Sequence, residues 1–246
     1  MFETLKTQKL QKNQLIKDIK VAQPKERFRG LPTIKLGDGV IYANCRDICP
    51  TGALTKDGFV DLGKCTFCGE CERYCESLGA DVIKFSTYHK LSATERENLL
   101  VNGEISPIQA KEQINALFGR SLKLRQVSAG GCNSCEMELN ACSNANFDMG
   151  RYGIEFVASP RHADGIVVTG PVTKNMAKAL EDTFFACPAP RILIVVGACA
   201  ISGGIYQDSE ELDRTFFDRH TPDLYIPGCP AHPLTIINGI LEFLGR

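Results

Sequence analysis

Cys132 and Cys135 stand three residues apart in Gly130-Gly131-Cys132-Asn133-Ser134-Cys135-Glu136-Met137-Glu138, after the strand-like run Leu122–Val127. The segment that follows has the apolar spacing of a helix. Two glycines let the backbone turn tightly and approach a bulky ligand, and two cysteines at this spacing can face one soft metal centre. Taken alone, a C-x-x-C after a strand also suits a redox dithiol. Two later cysteines favour metal: Cys199 in Gly197-Ala198-Cys199-Ala200-Ile201-Ser202-Gly203-Gly204, and Cys229 in Pro227-Gly228-Cys229-Pro230, each just past a strand candidate. Four thiolates on one sheet edge would hold an iron–sulfur cluster, since soft anionic donors keep iron in both oxidation states. Backbone amides of Gly130-Gly131 and Gly203-Gly204 are candidate donors to its sulfides.

A second group lies upstream. Cys65-x2-Cys68-x2-Cys71-x3-Cys75 has the spacing of a bacterial ferredoxin motif, and Cys45-x3-Cys49-Pro50 reads as the tail of another copy. In two-copy ferredoxins the fourth cysteine of each motif serves the other motif's cluster. Crossing the ligands gives one complete set, Cys49, Cys65, Cys68 and Cys71, with Pro50-Thr51-Gly52-Ala53 as the closing turn. The other cluster would need cysteines at positions 39 and 42, where the chain has Gly39 and Tyr42. Cys45 and Cys75 are therefore expected to be buried apolar thiols. The rival reading is a second cluster completed by unusual ligands or by another chain.

The elements that must position these cysteines follow from apolar periodicity. Leu122–Val127, Glu155–Ala158, Gly165–Thr169, Ile192–Val196 and Leu224–Ile226 read as strands. Met176, Leu180 and Phe184 recur at helical spacing, as do Leu234, Ile237, Leu241 and Leu244. Alternating strands and helices predict an α/β, flavodoxin-like domain over 121–246, with a mainly parallel sheet whose carboxyl ends gather ligands. Residues 31–88 are expected to form a ferredoxin-like α+β module. Residues 89–120 read as a helical linker: Ser92-x-x-Glu95 as a capping box opening a short helix through Val101, then a helix from Ser106-Pro107. That second helix would show Ala110, Ile114 and Leu117 on one face and stop at Gly119. Residues 1–30 carry eight basic side chains against three acidic ones, a net +5, with a short apolar stripe at Leu15, Ile16 and Ile19; Leu5 and Leu10 fit a helix poorly. Two readings stay open for this basic arm: a solvated segment, or an arm that wraps a neighbouring subunit.

The whole chain of 246 residues has a net charge of −1, which offers nothing to nucleic acid. No apolar run approaches the roughly 18 residues a membrane span needs, and no positive–apolar–small signal or twin-arginine pair opens the chain. Twelve cysteines with these features suit a cytoplasmic protein whose thiols serve metals. Gly170-Pro171 and Gly228-Cys229 make no G-x-G-x-x-G fingerprint and no Walker lysine motif occurs, so no nucleotide site is expected. The chain shows no catalytic centre of its own. Glu136 reads either as a proton relay or as an acid stabilised by a helix N-terminus. Arg161 and His162 read as tuning donors to a cluster or as a structural pair after Pro160. Cys142 and Cys187 read as buried packing.

Residues 118–246 resemble the small-subunit family shared by [NiFe] hydrogenases and the complex I subunit that carries the terminal iron–sulfur cluster. The resemblance is carried by Phe118-Gly119-Arg120-Ser121-Leu122, Ala129-Gly130-Gly131-Cys132-Asn133-Ser134-Cys135-Glu136 and Phe156-Val157-Ala158-Ser159-Pro160-Arg161-His162-Ala163-Asp164. Val168-Thr169-Gly170-Pro171-Val172-Thr173, Gly197-Ala198-Cys199 and Pro227-Gly228-Cys229-Pro230 complete it. Complex I relatives carry tandem Cys-Cys at the first ligand position, whereas Cys132-x-x-Cys135-Glu136 is similar to the hydrogenase pattern. The resemblance thus implies the membrane-bound, energy-converting or formate-hydrogenlyase type. It implies an electron-transfer oxidoreductase subunit with two [4Fe–4S] clusters, held by Cys49, Cys65, Cys68 and Cys71 and by Cys132, Cys135, Cys199 and Cys229. A partner large subunit would hold the Ni–Fe site. A ferredoxin-like iron–sulfur subunit and integral membrane subunits would complete a complex peripheral to the inner membrane face. The alternative is a nickel-free, quinone- or ferredoxin-linked relative of complex I.

Overall fold

The computed structural model describes residues 3, 5, 6, 9, 15–36, 39–110 and 112–246. The N-terminal part is small and irregular: β1 (Pro32–Ile34), α1 (Gly39–Asp47), β2 (Val60–Asp61), α2 (Glu70–Ser77) and β3 (Ile83–Phe85). β1 pairs antiparallel with β3, Pro32 opposite Phe85 and Ile34 opposite Ile83. Next come β4 (Leu100–Val101), which pairs antiparallel with β2, and α3 (Glu112–Phe118). The C-terminal part follows as β5 (Leu122–Ser128), α4 (Ser134–Cys142), β6 (Ile154–Phe156), β7 (Gly165–Thr169), α5 (Lys174–Ala186), β8 (Ile192–Val196), α6 (Ala198–Ser202), α7 (Thr215–Arg219), β9 (Leu224–Ile226) and α8 (Pro233–Phe243).

β5 to β9 form one five-stranded parallel sheet in the order β6-β5-β7-β8-β9. Counted within this domain the order is 2-1-3-4-5, the flavodoxin-like arrangement. β7 and β8 are buried along their whole length, as a central strand covered on both faces must be. Alternate residues point to opposite layers. Ile166 and Val168 join a core shared with α5 and with the N-terminal part, while Val167, Ile194 and Val196 join a core roofed by α8. The first of these cores runs without a break from Leu31, Cys45 and Leu62 to Val195 and Tyr225, so the two cysteine-bearing regions share one apolar interior.

The linker departs from its expected form. Glu95 opens only a 3-10 turn over Arg96–Leu99 with no side-chain cap, Ser92 Oγ finds no hydrogen-bond partner, and Leu100–Val101 is strand rather than helix. The cause is tertiary. Ala93 exchanges backbone hydrogen bonds with Tyr225 at 3.0 and 2.8 Å, covering the open edge of β9. The second linker helix begins at Glu112, not at Ser106-Pro107. Ile114 and Phe118 face the core while Leu117 stands exposed. Gly119 does end it, donating to the Asn115 carbonyl at 2.8 Å.

The basic arm lies in part on its own chain. Ile19 is fully buried beneath α8, its carbonyl accepting from Asn238 Nδ2 at 3.1 Å and its amide donating to the Tyr152 hydroxyl at 3.4 Å. Ile16 donates to the Asn146 carbonyl at 2.9 Å, and its own carbonyl accepts from Arg151. Residues 15–30 are therefore a strap rather than a free solvated segment: it starts on the C-terminal domain and ends on the N-terminal part, where Gly30 N–H donates to the Ser86 carbonyl at 2.7 Å. Leu10 and Lys12 of the arm lie outside the described residues.

Candidate functional site

The three glycine-containing loops after β5, β8 and β9 bring Cys132, Cys135, Cys199 and Cys229 to one carboxyl edge of the sheet. Cys135 begins α4, and its Sγ lies so close to Gly197 that a Cβ there would come within 2.5 Å. Gly197 has φ +90°, a conformation L side chains rarely adopt, so only glycine satisfies both the turn and the thiol. The Cys199 Sγ sits likewise against Gly204, 2.9 Å from where a Cβ would be. Burial pushes the Cys135 thiol up to about 12, helped by charge from Glu136, Cys199 and Cys229. The Cys199 thiol is pushed up to about 11 by burial and by Cys229 and Cys132. Cys132, exposed, goes the other way: the Ser134 hydroxyl and amide hold its thiol below the ordinary range. These four sulfurs feel one another, and the site opens outward at Cys132 and Cys229, both exposed.

The expected amide donors on one side are already engaged. Gly203 N–H donates to the Cys199 carbonyl at 2.9 Å and Gly204 N–H to Ser202 Oγ at 3.2 Å. What backs this loop instead is Arg214, a residue that composition and spacing did not single out. Its Nη1 donates to the carbonyls of Pro171 (3.1 Å) and Cys199 (3.2 Å), and its Nη2 to those of Ala200 (2.9 Å) and Ile201 (3.0 Å). The guanidinium thus satisfies the open carbonyl end of α6 and places a cation behind Cys199. Burial lowers its pKa.

The N-terminal set also converges. Cys49, Cys65, Cys68 and Cys71 line one pocket between Ala53, Val60 and Phe85. Burial pushes the Cys71 thiol up to about 12, with charge from Cys49, Cys68 and Cys75 adding to it, and raises Cys65 as well, with charge from Cys71, Cys49 and Cys68. Two amides point at sulfur: Ala53 N–H at Cys49 and Phe67 N–H at Cys65, both at 3.3 Å. The predicted turn is present, with Gly52 N–H donating to the Cys49 carbonyl at 3.2 Å.

Cys45 and Cys75 stand apart from that pocket. Both are fully buried, with their sulfurs 3.1 Å from each other, and burial pushes the Cys45 thiol up to about 12. Cys142 and Cys187 are buried. Glu136 is buried and accepts from Ser128 Oγ at 2.5 Å and Thr169 Oγ1 at 2.7 Å, which ties α4 to β5 and β7 and favours the structural role over the proton relay. Arg161 and His162 stand exposed on the turn before β7, away from the strand ends that carry the cysteines.

Among the described residues no group of three or more His, Cys, Asp or Glu side chains is set to hold a single metal ion. Thiols spaced around a pocket, with amides aimed at sulfur, have the chemistry to hold a polynuclear iron–sulfur group. Substituting Cys45 and Cys75 together with serine, whose hydroxyls can pair with each other, is expected to leave iron content unchanged. Loss of about four irons per chain would show a second N-terminal cluster.

A parallel sheet with thiols gathered at its carboxyl edge defines the class, an α/β protein with a ligand site at its strand ends. Residues 132–243 match the family described as NADH ubiquinone oxidoreductase, 20 Kd subunit. An uncharacterized protein of Methanocaldococcus jannaschii is 42% identical over 124 residues, 50% of this chain and 82% of that one. The probable membrane-bound hydrogenase subunit mbhJ of Pyrococcus furiosus is 36% identical over 135 residues, 54% of this chain and 80% of that one. Formate hydrogenlyase subunit 7 of Escherichia coli is 42% identical over 152 residues, 58% of this chain and 59% of that one. The chain belongs to the NADH ubiquinone oxidoreductase 20 kDa subunit family, whose members carry an iron–sulfur cluster.

Proposed function

We propose that this chain is the electron-transfer subunit of an [NiFe] hydrogenase complex of the membrane-bound or formate-hydrogenlyase type. It relays electrons between a ferredoxin-like donor or acceptor and the Ni–Fe site of a partner large subunit, where protons and H2 are interconverted. Residues 31–88 serve as a ferredoxin-like module, 89–120 as a linker and 121–246 as the hydrogenase small-subunit domain, with 1–30 as the basic arm. The observation that carries this reading is the pairing of two four-thiol sets on one continuous core, Cys49, Cys65, Cys68 and Cys71 beside Cys132, Cys135, Cys199 and Cys229. Filled, each set would supply one-electron storage at a potential tuned by its surroundings.

The chain's own residues do the rest. The thiols orient the group, Ala53 and Phe67 N–H stabilise sulfur charge, Arg214 sets a cation behind Cys199, and apolar walls exclude water. Among the described residues no helix is long and apolar enough to cross a membrane, so attachment to a membrane falls to integral membrane subunits. The C-x-x-C spacing and the hydrogenase relatives support the nickel-linked form. The family description favours the second reading, a nickel-free, quinone- or ferredoxin-linked complex I-like oxidoreductase.

The test is H2-dependent viologen reduction by the native complex captured anaerobically through this chain. Activity with nickel in the same fraction is expected. An intact, iron-loaded complex without nickel or activity would establish the second reading instead.

A further inference from the structure

Between the two cysteine sets lies a cavity of about 190 Å³, lined by Arg29, Phe67, Gly228, Pro230 and His232 among others. On one wall is the loop that carries Cys68, and on the other the loop that carries Cys229. Both cysteines are exposed, and the Cys229 thiol, raised first by burial, also feels the charge of Cys132 and Cys68. Phe67 beside Cys68 and Gly228 and Pro230 beside Cys229 thus face one cavity.

Arg29, from the strap, is wedged into this junction. Its Nη1 donates to the Phe67 carbonyl at 3.4 Å. Its guanidinium lies on the face of Gly69, where a Cβ would come within 2.3 Å of Nε. Gly69 has φ +74° and Phe67 φ +53°, so the chain turns sharply on both sides of Cys68 to make that seat. Glu72 partly offsets the charge at 3.9 Å, and its other oxygen accepts from the Phe85 amide at 3.1 Å.

We propose that Arg29 is a positioning residue for the electron-transfer junction. Seated on Gly69 and bonded to the Phe67 carbonyl, it holds the Cys68 loop on its wall of the cavity, which Gly228 and Pro230 also line, and keeps a positive charge beside the N-terminal cluster, favouring its reduced form. The inference rests on the iron–sulfur reading above. Reduction adds one electron and no proton, so the reduced cluster carries one more negative charge, and a fixed cation nearby stabilises that state.

The test is a redox titration of the intact complex followed by electron paramagnetic resonance. The N-terminal signal is identified as the one that Cys65→Ser removes, and iron content is measured in parallel. In Arg29→Gln the ratio of reduced to oxidised N-terminal cluster at a fixed potential is expected to fall on the order of tenfold, about 59 mV for a one-electron couple. Arg29→Lys, which keeps the charge, should restore it to within threefold of the wild type. A change smaller than threefold in Arg29→Gln, or an equal fall in Arg29→Lys, overturns the proposal. Should Arg29→Gln lose the cluster, Arg29→Lys alone decides by the same threefold limit. If Cys65→Ser removes neither iron nor any signal from the complex, the cluster reading has failed, a result distinct from failure of the Arg29 role.

Discussion

Cys199→Ser in the intact complex is expected to remove about four irons per chain and to lower H2-dependent viologen reduction by on the order of 100-fold or more, since even outer partners of a metal site are worth 10–100-fold. The thiol is held at the start of α6 with its sulfur against Gly204, and the carbonyl of the same residue is fixed by Arg214 at 3.2 Å. A serine oxygen in that place is a harder donor on a shorter bond, and the rigid backing leaves the loop no freedom to follow it. Cys187→Ser is the control: Cys187 is buried, more so than Cys199, but it lies at the end of α5. It should keep both iron and activity. Full iron in Cys199→Ser would remove Cys199 from the ligand set.

Arg214→Met should produce the largest loss of stability. Four backbone carbonyls accept from this one half-buried side chain, those of Pro171, Cys199, Ala200 and Ile201. Methionine fills similar space but donates nothing. Hydrogen bonds from a charged donor are worth about 1.5–3 kcal/mol each. They share one donor and do not add, so a total of about 3–5 kcal/mol is expected. For a chain of this size that is a fall of about 10 °C in Tm, readable by calorimetry. Arg214→Lys, with one ammonium for four acceptors, should fall between. A loss below about 1 kcal/mol would mean that water serves those carbonyls as well as the guanidinium does.

Much of the C-terminal domain could be read directly from residue order. Gly165–Thr169, Ile192–Val196 and Leu224–Ile226 coincide with β7, β8 and β9 because strands buried on both faces are short unbroken apolar runs with sharp polar or glycine ends. Leu122–Val127 and Glu155–Ala158 were shifted by one or two residues, as terminal pairings are set by the neighbouring strand. The convergence of the cysteines followed from spacing plus the rule that ligands gather at strand carboxyl ends. What escaped was set by distant partners. Ser92-x-x-Glu95 has the local form of a cap, yet Ala93 pairs with Tyr225 more than a hundred residues away. Arg214 sits in Glu210-Glu211-Leu212-Asp213-Arg214, a stretch that reads as a solvated charged surface. Ile16 and Ile19 make too short a stripe to foretell a docked strap, and nothing in the arm's composition set Arg29 apart from its other basic residues.

The strap also bears on how the molecule is matured. Ile19 is held by Asn238, 219 positions later in the chain. All four cysteines of the N-terminal pocket are made by Cys71, but the strap cannot close until α8 has emerged. At 5–20 residues per second a ribosome needs roughly 8–35 s for the intervening stretch. During that interval Arg29 already has its partners Phe67 and Gly69, but the N-terminal part lacks the share of its core that Val168 and Val195 supply. Cys49, Cys65, Cys68 and Cys71 are thus all present well before Cys229 completes the second set. Docking of Ile19 beneath α8 is therefore among the last contacts this chain can form.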